Sequence, residues 1–86
     1  MQPENLQEAL WILFAGAIGR QKRVASLVYV IDKKGKKRFI SASAVNRWAH
    51  GDTPVTIQMV ERVERLLGVY PVTEFLKRRA GGAEHQ

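Results

Sequence analysis

Apolar residues recur along this chain in five clusters, and within each the spacing is that of a helix with one face buried. Leu6, Leu10, Leu13, Phe14 and Ala17 form the first. With Pro3 suited to an opening turn and Glu4 and Glu8 at the positive end of the dipole, they predict a helix from about Asn5 to Ile18. Val24, Leu27, Val28 and Ile31 lie at i, i+3, i+4 and i+7 and favour a second helix. The strand-forming runs Val28-Tyr29-Val30-Ile31 and Arg38-Phe39-Ile40, on either side of Lys33-Lys34-Gly35-Lys36, leave a β-hairpin open as the alternative. Val45, Trp48 and Ala49 share one face of a short third helix over 41–51, capped by Ser41 or Ser43 and ended by Gly51. Ile57, Val60, Val63 and Leu67, with Met59 and Leu66 beside them, make the broad face of a fourth between Thr56 and Gly68. A short fifth, starting near Pro71, turns Val72, Phe75 and Leu76 inward.

The expected fold is therefore all-α. It is a compact four- to five-helix domain over residues 1–80, with a small β-hairpin or an extended basic loop around residues 28–40 and a disordered tail over 81–86. A chain of 86 residues builds one core and has little left to enclose a substrate cavity, so partners are expected on its outer surface. The first helix departs from the usual pattern: Ala9 to Gly19 contains no charged side chain, a wider apolar surface than one core requires. A homodimer interface including Trp11 and Phe14 is the expected cover. The run is much shorter than the roughly 20 residues that span a bilayer, and its acidic start does not suit a secretion signal. No membrane association is expected.

Charge sharpens this picture. The net charge is +6, yet between Arg20 and Arg38 eight basic residues stand against the single Asp32, a local net of +7. Arg20, Lys22, Arg23, Lys33, Lys34, Lys36, Lys37 and Arg38 thus form a concentrated site for a polyanion, with Ser41 next to it as a further phosphate ligand. The absence of cysteine removes thiol nucleophiles, disulfides and thiolate-bound zinc, and fits an intracellular setting. His50 and His85 are far apart in sequence and have no partner at ligand spacing, so neither a metal nor a cofactor is expected. No nucleophile–base set and no phosphate-cradling glycine loop is present, which argues against an enzyme with a small-molecule substrate.

The third helix adds specific chemistry to that charge. With Val45, Trp48 and Ala49 turned inward, Ser43, Asn46, Arg47 and His50 point outward. Arg matches the two acceptors on guanine and Asn the acceptor and donor on adenine, while Ser and Ala keep a helix slim enough for the DNA major groove.

The segment from Ile40 to Val69 resembles the lambda-repressor/Cro-like helix-turn-helix family. The resemblance lies in Ile40-Ser41, Val45, Trp48-Ala49-His50-Gly51, Pro54, the helix starting at Thr56, and Leu67-Gly68-Val69, in that order. It implies base-reading positions at Ala42, Ser43, Asn46 and Arg47, with Trp48 as packing. It also implies a second helix only a few residues upstream, whereas here Lys33 to Phe39 intervenes. Either the turn has grown into a basic loop or hairpin, or the second helix is longer than in the family.

The resulting expectation is a sequence-preferring protein of double-stranded DNA, a small dimeric transcriptional regulator of the cytoplasm and nucleoid. In the alternative, the helix-turn-helix serves as a scaffold whose basic loop docks an acidic protein. RNA is a third possible partner, though Tyr29 and Phe39 are the only aromatics near the basic run.

Overall fold

The structure, a computed structural model, describes residues 3–84, with side chains through Ala80. The described residues form five helices and one two-stranded antiparallel sheet: α1 (Leu6–Ala15), α2 (Arg20–Leu27), β1 (Tyr29–Ile31), β2 (Lys37–Phe39), α3 (Ala42–His50), α4 (Ile57–Leu67) and α5 (Pro71–Glu84). The fold is mostly helical. None of the described helices is long and apolar enough to cross a membrane.

Local chemistry accounts for most boundaries. Asn5, Ser41 and Thr56 cap α1, α3 and α4 by accepting hydrogen bonds from the backbone N–H groups of Glu8, Ala44 and Met59, three orphan donors that a helix start leaves unpaired. Gly51 and Gly68 end α3 and α4 in the left-handed conformation, with φ of 77° and 72°. A Cβ at Gly51 would also lie 2.5 Å from the side-chain oxygen of Gln7, which would have to swing aside.

Three helices differ from the sequence reading. α1 stops at Ala15 rather than Ile18, since Gly16 and the left-handed Gly19 (φ 74°) break the run. α2 ends at Leu27, and Val28 to Ile31 leave it for a strand. The helical spacing of Val24, Leu27, Val28 and Ile31 is thus divided between two elements, and the hairpin is what forms. Its register pairs Tyr29 with Phe39, Val30 with Arg38 and Ile31 with Lys37. Branched and aromatic side chains across from one another stabilise such a pair, and Tyr29 and Phe39 meet edge to face at 5.8 Å. α5 is not short: it continues to Glu84, through glycines whose weak helix propensity favours a tail, while His85 and Gln86 lie outside the described residues. On it Leu76 is 41% exposed and does not point inward.

One core gathers residues of every helix: Ala9, Leu13 and Phe14 from α1, Val24 from α2, Val45 and Ala49 from α3, Val60 and Val63 from α4, and Val72 and Phe75 from α5, with Val28 below the hairpin. This corrects the expected dimer surface. Phe14 is fully enclosed in its own chain, its ring 5.5 Å from that of Trp48, so it cannot meet a second copy. α3 and α5 both pack on α1 and cover part of its apolar surface, while Leu6 and Trp11 stay exposed. Only Trp11 of the expected pair stays at the surface, 40% exposed.

Candidate nucleic-acid interface

α3 is the centre of the site. Val45 and Ala49 are buried and Trp48 is half-buried, which turns the opposite face to solvent. Ser43, Asn46, Arg47 and His50, at i, i+3, i+4 and i+7, form one stripe along the helix; Asn46, Arg47 and His50 are exposed, and Ser43 is exposed at its upper end. Ala42 is half-buried at its shoulder. Two tethers fix the helix behind this stripe. α2 packs against it, and the side-chain Nε2 of Gln7 on α1 donates to the carbonyl of Ala49 at 2.7 Å, satisfying an acceptor in the last turn. Gln7 lies outside the apolar spacing of α1, and only the tertiary fold brings it to Ala49, 42 positions away in the chain.

The hairpin precedes α3 directly, with Ile40 and Ser41 between β2 and the helix. Lys33, Lys34, Lys36, Lys37 and Arg38 are all exposed on it. Its tip is ordered by its lone acid. Asp32 Oδ1 accepts from the backbone N–H groups of Lys34 and Lys36, both at 2.9 Å, while the Asp32 carbonyl accepts from Gly35 N–H at 3.0 Å. Gly35 takes φ of 79°, a value glycine adopts without strain. The carboxylate thus holds the cationic loop in one shape and partly offsets its self-repulsion. Lys37 is folded back over the Tyr29 ring, 4.7 Å from its centroid.

On α2, Lys22 and Arg23 are exposed near the first turn, the positive end of the dipole, where cations are unfavourable and an anion is favoured. Arg20 is different. It is half-buried, and its Nη1 donates at 2.9 Å to the carbonyl of Leu13 in the last turn of α1. It closes that helix end with one nitrogen of its guanidinium, a structural role of which the sequence carries no sign. Ser41 is exposed but engaged, its hydroxyl oxygen accepting from Ala44 N–H at 3.1 Å as the α3 cap.

The structure therefore joins the α3 stripe to the basic hairpin in chain order, flanked by Lys22 and Arg23, with Arg20 partly engaged at the end of α1. It also shows residues to which the periodicity gives no role. Arg62 on α4 donates from Nη1 to the carbonyl of Tyr29 at 3.0 Å and braces the hairpin from the side. Glu64, buried within the apolar face of α4, caps α5. The one signal for Glu64 is an acid set between Val60, Val63 and Leu67 on a face that otherwise buries itself. No family model, curated protein or solved structure matches the chain.

Proposed function

We propose that this chain binds double-stranded DNA with sequence preference, as a small helix-turn-helix regulator in which α2 and α3 are the paired helices and the hairpin replaces the usual tight turn. α3 enters the major groove. Its nine residues extend about 13 Å at 1.5 Å per residue, enough to follow roughly four base pairs. Ser43, Asn46 and Arg47 read base edges, Ala42 meets a thymine methyl, and the exposed cations of the hairpin with Lys22 and Arg23 hold backbone phosphates. The observation that carries this reading is the outward stripe of Ser43, Asn46, Arg47 and His50 on a helix tethered from behind and adjoined by the basic hairpin. Two copies on two half-sites, about 34 Å apart, complete the proposal, and the activity is binding without catalysis.

Selection from a random duplex library at near-physiological salt tests it. The expected product is an enriched inverted repeat that Arg47→Ala no longer enriches. Retention of duplexes without any preferred sequence would overturn direct readout, and no retention by folded protein would remove DNA as the partner.

A further inference from the structure

Strand β1 has a second edge that β2 does not use. Ile40 N–H donates to the Val28 carbonyl at 3.1 Å and Asp32 N–H to the Lys36 carbonyl at 2.9 Å, so Val28, Val30 and Asp32 are the residues that bond across to the other arm. In an antiparallel ladder the polar groups of the residues between them point away. The N–H of Tyr29 and both the N–H and the carbonyl of Ile31 therefore face outward. The Tyr29 carbonyl on that edge is the one that accepts from Arg62.

This edge opens onto a groove of about 620 Å³ between β1 and α4. Leu27, Val30, Ile31 and Leu66 line it and are exposed, and Ile31 is 58% so. Arg62 is the single charged residue among those lining the groove. Unpaired strand groups beside an apolar channel are a ready template for a further strand. We infer that the groove docks an extended peptide segment of an acidic protein partner, which pairs with the outer edge of β1. Every second side chain of the peptide enters the apolar channel, and one carboxylate meets the Arg62 guanidinium. Charge decides the occupant: a second copy of this chain would set two segments of net +7 beside each other, whereas an acidic segment brings the carboxylate that Arg62, within the groove, can meet. The assignment is independent of DNA binding.

Selection of a phage-displayed random dodecapeptide library on the purified chain is the test. Enriched peptides should alternate apolar residues with Asp or Glu, and should slow hydrogen exchange at the Ile31 amide. Ile31→Pro removes the outward N–H while leaving every β1–β2 bond in place, and Arg62→Glu reverses the groove's charge, giving up the Arg62 bond to the Tyr29 carbonyl but no β1–β2 bond. Each should weaken the selected peptides about tenfold, equivalent to about 1.4 kcal/mol. The combined Lys36→Ala and Lys37→Ala variant should leave them nearly unchanged. The proposal is overturned if no peptide is enriched, if Ile31→Pro binds the selected peptides as well as the parent chain, or if the lysine variant loses as much as Arg62→Glu. The last result would mean general attraction to the basic hairpin.

Discussion

Glu64 shows how much one side chain can determine. It is 1% exposed, and its carboxylate accepts three hydrogen bonds from the start of α5: Val72 N–H at 2.9 Å, Thr73 N–H at 3.1 Å and the Thr73 hydroxyl at 2.6 Å. The two backbone donors are among those the first turn of a helix cannot pair internally, and a negative group is favoured at that end of the dipole. A residue of α4 thereby caps α5 and fixes the angle between the two helices. Glu64→Ala leaves these donors buried without partners, and the expected loss is about 3 kcal/mol, read by urea unfolding. Thr73→Val removes only the hydroxyl bond and should cost about 1 kcal/mol. Equal losses in the two variants would mean that the backbone bonds contribute little.

At the scale of elements, the hairpin depends on Asp32 as α5 depends on Glu64. Asp32→Ala removes the acceptor that holds the Lys34 and Lys36 amides, whereas Asp32→Asn keeps a side-chain oxygen in place. Both raise the net charge by one. In Asp32→Ala, hydrogen exchange at those two amides should accelerate about tenfold, corresponding to one broken bond, while Asp32→Asn should stay close to the parent. The same acceleration in both would assign the order of the tip to Gly35 and the ladder instead. The ambiguity of this element in the sequence has a physical cause. Val28 to Ile31 is too short a run for its period to separate strand from helix, and the deciding partners, Phe39 and Arg38, sit about ten positions away. Caps are legible because they are local: Ser41, Thr56, Gly51 and Gly68 all act within four residues. The pins made by Gln7, Arg20, Arg62 and Glu64 join separate elements and leave no periodic mark. The excess apolar surface of α1 is visible in the sequence. That α3 and α5 cover part of it, and that Phe14 is enclosed while Trp11 is not, depends on the path of the whole chain.

For the whole molecule, affinity and selectivity on the proposed reading come from different places. The described residues span 49 × 27 × 24 Å, and the cations are concentrated in α2 and the hairpin, while the groups suited to base edges lie on α3. Phosphate binding acts through counterion release, so it sets the salt dependence of affinity for any duplex. Hydrogen bonds to base edges add little to that dependence and instead separate one sequence from another. Replacing Lys36 and Lys37 with Ala should weaken binding to preferred and random duplexes alike, and should flatten the plot of log affinity against log salt by about 0.9 for each phosphate no longer neutralised. Arg47→Ala should cost about 1–3 kcal/mol on the preferred duplex and much less on a random one. Fluorescence anisotropy titrations of each variant, on both duplexes and at several salt concentrations, check the division. If removing the two lysines erased the preference while Arg47→Ala left it intact, sequence would be read by the hairpin, and α3 would be the support on which the hairpin is mounted.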